Sequence, residues 1–406
     1  MKKIILFLLV FISIINVSFA KDNSPNKSYY GSIEQNLILK DPKLISLQKT
    51  KSVDLKLFEQ KQLKDNEEYK KCKKGIKVEY YNLYVILDRI LRANNLQSQN
   101  WRLALKTSLK DINASAGSAN LIVVNTSLYD SLYPDESALA FIISHELAHL
   151  ILKHNQISYE NQCEIVTLKR RVRALRRQTQ SFACTVMAMK LSSRIDDLYE
   201  QQRELEYNAD SEAVTLMLRA GYDIEQVFSA LNLLSSLPNI YTDRSTHPSI
   251  ENRISNVQED MELLDKNALI NEGKYNLYHS KVSSIKKSSD KRTVVLYNKK
   301  NSNKIVYVPL TKETKLLNKA YLYYLDKNIP MAKQYFERAY VVNSNNYITP
   351  LYLSYISEYN FYNSGDKKDL KDAKFYSKKA YKLNQNDKFV NKQRNDVKAI
   401  FKNYKK

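Results

Sequence analysis

A chain of 406 residues is long enough to bury two separate cores, and its formal charge of +21 with only three cysteines limits what those cores can hold. The cysteines, Cys72, Cys163 and Cys184, form no CxxC pair, which excludes a zinc ribbon or finger; any metal must rest on histidines and carboxylates. The lysine excess is spread over the whole chain among Asn and Tyr and carries no nucleic-acid motif, so nucleic acid is not an expected partner.

Lys2 and Lys3, an apolar run from Ile4 to Val17 and the small residues Ser18 and Ala20 have the layout of a cleaved secretory signal over residues 1–20. Export is therefore expected, and in an oxidising compartment three cysteines permit one disulfide and leave one thiol. Cys163 and Cys184 meet if their helical region folds back on itself; the pairing stays open.

Residues 21–75 read as a polar, lysine-rich extension with short helical pieces. From Val78 the apolar residues Leu83, Ile86, Leu87, Ile90 and Leu91 recur at helical spacing. Trp101 to Leu109 suits a strand or a short helix, and the β-branched run Leu121–Asn125 predicts a strand. Pro134-Asp135-Glu136 opens a helix with Asp135 as its N-cap. Residues 162–220 are helical almost throughout, with Gly221 as a stop. Within them, Lys169 to Arg177 is densely basic: either a solvated helix face or, with the apolar Phe182 to Leu191, a surface that meets anionic lipid.

Beyond about residue 265 the texture changes. Ser283 to Arg292 reads as a basic linker, and Thr293–Tyr297 with Lys304–Val308 as a β-hairpin. From Glu313 onward, Ala320, Tyr323, Ala332, Phe336 and Ala339 sit at the packing positions of a 34-residue tetratricopeptide unit, and Ala373 and Ala380 repeat its closing spacing.

The chemical centre is His145-Glu146-Leu147-Ala148-His149. Residues four apart share a helix face, so His145 and His149 can present imidazoles to one zinc ion. Glu146 beside them can take a proton from an attacking water whose pKa zinc lowers to about 7. A third ligand is required. Asn155 and Leu152 exclude the class that places a histidine ten positions after the first. His154, one residue short, reads as an exposed helix-end histidine. Glu206 with Asp210 one turn later supplies the alternative: Glu206 on the metal, and Asp210 holding an imidazole by its other N–H. Ala209 and Ala213 allow close approach to the first helix.

These marks, with Asn113-Ala114, Ala116-Gly117 and Thr246-His247-Pro248-Ser249 followed by Arg253, resemble the gluzincin metallopeptidase family that includes the CaaX prenyl protease, HtpX and BepA, over about residues 76–260. The resemblance implies one Zn²⁺ per chain on His145, His149 and Glu206, with Glu146 as base, His247 near the metal as oxyanion support or zinc cap, and Arg253 supporting it. It also implies that Leu121–Asn125 is an edge strand onto which an extended substrate pairs. Gly117-Ser118-Ala119 departs from the paired glycines of relatives, which bears on the loop path.

The implied class is α+β, mainly helical: a signal over 1–20, an extension over 21–75, a zincin-type domain with a small sheet over 76–265, a basic linker over 266–312 and tetratricopeptide-like repeats over 313–406. That arrangement is similar to the BepA branch. It implies a periplasmic endopeptidase acting on misfolded or stalled envelope proteins, with repeats that bind envelope assembly proteins and with peripheral membrane contact. The alternative is a repeat-based chaperone or scaffold whose zinc is gated or structural.

Overall fold

The computed structural model describes residues 54–72, 78–108, 111–117, 119–177, 182–236, 247–287, 293–298 and 309–404. The signal-like residues 1–20, Thr246 and the strand expected at Lys304–Val308 lie outside them. In chain order the elements are α1 (Leu55–Cys72), α2 (Val78–Ala93), β1 (Trp101–Lys106), β2 (Ala114–Gly117), β3 (Leu121–Asn125), α3 (Thr126–Leu132), α4 (Glu136–Ile151), α5 (His154–Arg177) and α6 (Phe182–Ala220). There follow α7 (Gln226–Ser235), α8 (Ile250–Leu263), α9 (Lys266–His279), β4 (Ser284–Lys287) and β5 (Thr293–Tyr297). The chain ends in α10 (Lys312–Leu325), α11 (Ile329–Val342), α12 (Ile348–Ser364), α13 (Lys367–Leu383) and α14 (Lys388–Tyr404).

Helix α4 is the axis of the larger core. Asp135 caps it, accepting from the N–H groups of Ser137 and Ala138 at 3.0 and 2.9 Å. Every residue from Ala138 to Ala148 is buried, so the helix is enclosed all round rather than presenting one stripe. It packs against α2, α6, α7 and the sheet. Ala209 and Ala213 of α6 are fully buried, and their small side chains let the two helices approach closely.

The strands form one mixed sheet in the order β2-β3-β1-β5-β4. Only β1 and β3 are parallel; the remaining pairs are antiparallel. Two expectations change here. Strand β3 is not an edge, because β2 folds back antiparallel and covers it, pairing Ala116 with Ile122 and Gly117 with Leu121. The turn that does this carries Ala119 and Asn120 at φ +54°, a left-handed conformation that a glycine adopts more readily than Ala119. Strand β5 pairs with β1 and with Ser284–Lys287, residues whose lysines and serines suggested a linker. The stretch after residue 265 thus completes the sheet.

Helix α1 is a single 18-residue element rather than short pieces. Few apolar residues face the core; charge docks it instead. Asp65 meets the buried Arg92 at 2.6 Å, and the Tyr69 hydroxyl donates to Asp88 at 2.7 Å. Helix α9 lies so close to the end of α6 that Gly273 rests against the main chain of Arg219, where a Cβ would fall inside the carbonyl. Gly273→Ala should therefore shift α9 and cost about 3 kcal/mol in urea denaturation; a cost under half of that would mean the helices separate freely.

Helices α10 to α14 pack as two antiparallel pairs and a terminal helix, around a core that includes Ala320, Ala332, Phe336, Ala339, Tyr352 and Ile356. Ala373 and Ala380 are likewise buried without remainder. This array sits on α8: Leu263 joins its core, and Arg338 donates to Glu259 at 2.5 Å. Lys315 reaches deeper. Its side chain is 1% exposed, bonds to the Ser211 hydroxyl, and lies 3.8 Å from Asp260.

Candidate metal centre

Helix α4 delivers His145, Glu146 and His149, and α6 delivers Glu206 and Asp210 opposite them. The Nε2 atoms of His145 and His149 stand 3.1 Å apart. Glu206 Oε2 is 3.6 Å from the first and Oε1 is 3.6 Å from the second. A tetrahedral zinc with bonds of about 2.0–2.1 Å sets its ligand atoms roughly 3.3 Å apart. The three separations bracket that value. Two imidazole nitrogens and two carboxylate oxygens thus converge on one point that a cation can occupy. The donor set therefore fits zinc, and it is the metal-competent group among the described residues.

Around these three, the structure supplies a layer of supports. Asp210 Oδ1 lies 2.9 Å from His145 Nδ1, although off the line of a good hydrogen bond. Arg253, on α8, donates to Asp210 from Nε at 2.7 Å and from its terminal nitrogen at 2.6 Å. It thus acts on His145 through that carboxylate, and its charge is also felt by His247, the residue that the resemblance had it support. His247 brings Nδ1 to 3.2 Å from Glu206 Oε2 while its side chain stays 64% exposed. It meets a ligand without joining the three-donor group.

His154 corrects the sequence reading. It is buried, and its Nδ1 lies 3.1 Å from Nδ1 of His149. Helix α4 ends at Ile151, Lys153 adopts φ +60°, and the chain restarts as α5 with His154 turned back toward the site. The proton inventory closes: with Nε2 of His149 on a metal, its Nδ1–H donates and neutral His154 accepts. Asn155, useful in the sequence only for excluding a ligand class, donates to the Ala116 carbonyl of the edge strand β2 at 3.0 Å.

The electrostatics fit a cation site. Burial opposes charge on His145, yet the Asp210 and Glu206 contacts outweigh it and lift its pKa to about 10. The same contacts, with His247, hold Glu206 well below the usual range despite its burial. Burial, followed by the charge of His145, lowers His149 to about 3, and burial lowers His154 to about 4. Burial pushes Glu146 up to about 7, against the pull of His145. The bond to Glu206 raises His247. A metal-free His145 with so high a proton affinity must lose that proton as metal enters. Calorimetry in buffers of different ionisation heat should therefore show release of about one proton per zinc at neutral pH.

Replacing His154 by Phe keeps the volume but removes the acceptor. Zinc affinity should fall roughly 10- to 100-fold, read by competition with a chromophoric chelator; unchanged affinity would assign His154 to packing alone.

The model for Peptidase family M48 matches residues 80–261. Neither the curated proteins nor the solved structures give a match to the chain. The matched segment runs from α2 to α8 and contains every residue that meets the donor set. Residues 80–261 are a domain of peptidase family M48, and the protein is a zinc metallopeptidase.

Proposed function

We propose that the protein is an exported endopeptidase that cuts misfolded or stalled envelope proteins in the periplasm, as part of outer-membrane protein quality control. The observation that carries this reading is the short edge strand β2 beside the metal helix. Its free side can pair with any extended main chain, which suits substrates that have lost their fold. Asn155 holds the Ala116 carbonyl until such a chain arrives. The C-terminal helices, as tetratricopeptide-like repeats, would bring envelope assembly proteins to the peptidase.

In the reaction, His145, His149 and Glu206 hold the metal, which when bound supplies Lewis acidity and makes water a competent nucleophile near neutral pH. Glu146 takes the proton of the attacking water on its carboxylate and returns it to the departing amine. Asp210 and His154 fix the two imidazoles, and Arg253 fixes Asp210. His247, whose bond to Glu206 favours its protonated form, would meet developing negative charge on the scissile carbonyl.

Purified protein carrying stoichiometric zinc should cleave casein, and Glu206→Ala should lose zinc and cleavage together. Cleavage by the zinc-free variant would overturn the reading. The contact of His247 with a ligand favours one alternative, a scaffold whose site is gated. In a deletion strain, full rescue by Glu146→Gln selects the scaffold, and failure selects the protease.

A further inference from the structure

Between the metal helix and Glu206 the chain runs out and back as a helical hairpin, α5 and the first half of α6. It has a core of its own, made of Ile165, Leu168, Val172, Ala188, Ile195 and Leu198, separate from the core around α4. None of the metal-site residues is drawn from the distal part of this hairpin. Cys163 and Cys184 lie in its two arms as free thiols, so the fold-back occurs without a bond between them.

The two arms carry unusual outer faces, which point to opposite sides of the hairpin and both reach its distal end. Ala188, Leu191 and Ile195 of α6 face α5, so the positions about half a turn away point outward. Those positions are Phe182, the half-buried Val186 and Met189, spaced i, i+4, i+7. Phe182 is 83% exposed and Met189 67%. A solvent-facing stripe on a helix is normally polar. Here it is apolar at Phe182 and Met189 and turns polar from Ser193 onward, with Asp196, Asp197 and Glu200 nearer the peptidase core. The facing arm carries Arg170, Arg171, Arg173, Arg176 and Arg177, all exposed, and no acidic residue occurs between Glu164 and Asp196. Positive charge and exposed apolar surface are therefore gathered at the distal end, and acidic groups at the proximal end.

An acidic polymer would be satisfied by the arginines, with at most a base stacked on Phe182, and would gain little from the exposed Met187 and Met189. A lipid surface takes both, with apolar side chains at the acyl boundary and guanidinium groups at anionic headgroups. No helix among the described residues is long and apolar enough to cross a membrane, so the contact is peripheral. We propose that this hairpin docks by its distal end on an anionic phospholipid bilayer, with Phe182 and Met189 on one side entering the headgroup region and Arg170 to Arg177 on the other holding phosphates. The proposal is independent of the peptidase reading, because no residue it uses belongs to the metal site.

Protein recovered from the exported fraction, with its N-terminal residue determined, should co-sediment with phosphatidylglycerol-containing vesicles and not with phosphatidylcholine alone. Phe182→Ser with Met189→Ser, and separately Arg170→Glu with Arg173→Glu, should each weaken binding about tenfold while zinc content is unchanged. Hydrogen exchange localises the contact: anionic vesicles should slow exchange over residues 165–195. Equal binding by wild type and variants, or slowed exchange confined to other segments, overturns the proposal. Loss in the Glu variant with full binding by the Ser variant, together with capture of RNA, would make the surface a site for acidic polymers and overturn it as well.

Discussion

Glu146→Gln should lower kcat for an unfolded substrate by roughly 10²- to 10⁴-fold while leaving zinc in place. The amide matches the carboxylate in shape, and the three donors on the metal are other residues. What disappears is the carboxylate beside His145 that can take a proton without itself being a metal donor. The pH profile gives an independent readout. Burial pushes the Glu146 carboxyl up to about 7 in the metal-free site, and a bound dication lowers it again. The base works only when ionised, so wild-type kcat should rise with pH along an acidic limb set by this group, at a value below about 7. The residual activity of the Gln variant should lack that limb. Undiminished cleavage, or an unaltered limb, would remove Glu146 from the chemistry.

Asp210→Ala should do two kinds of damage at once. Asp210 is fully buried between His145 and the buried Arg253, to which it is bonded twice. Removing it takes the carboxylate from a guanidinium out of reach of water, a change that costs about 3–5 kcal/mol. It also frees His145 to rotate, which should weaken zinc roughly 10- to 100-fold. Urea denaturation in excess chelator isolates the first effect, and metal competition isolates the second. Arg253 and His145 hold the Asp210 carboxyl below its ordinary range against burial. Its stabilisation is then present above the unfolded-state value of about 4 and fades as pH falls through the folded-state one. The stability deficit of the variant should accordingly shrink on acidification. Adding Arg253→Met should restore part of the stability and none of the zinc affinity.

The parts legible in the sequence were those written in local spacing. His145 and His149 four apart, Glu206 and Asp210 four apart, and the β-branched run at Leu121–Asn125 each state their geometry within one element. The parts that were not legible depend on where the chain turns. His154 enters the site only because the helix breaks at Leu152 and Lys153 takes a left-handed conformation that its residue type does not announce. Strand β2 displaces β3 from the edge through a turn whose left-handed positions are Ala119 and Asn120 rather than glycine. Ser284–Lys287 is a lysine-bearing edge strand, and its polarity, which protects an edge, concealed it as linker. Helix α1 is held by the Asp65–Arg92 pair, and a docking made of charges leaves no hydrophobic period to find.

Lys315 has a consequence for anyone dissecting this protein. Its ammonium is enclosed beside Ser211 and Asp260, on the two helices that carry Asp210 and Arg253. A cut made ahead of α10 would flood that socket with solvent and strip Asp260 of its counter-ion, and it would expose the apolar flank of the helical array to water. Neither fragment should then be expressed as a well-behaved piece. Any truncation meant to isolate the catalytic unit should keep α10, and crystallisation or partner-capture work on the array should keep α8 with it.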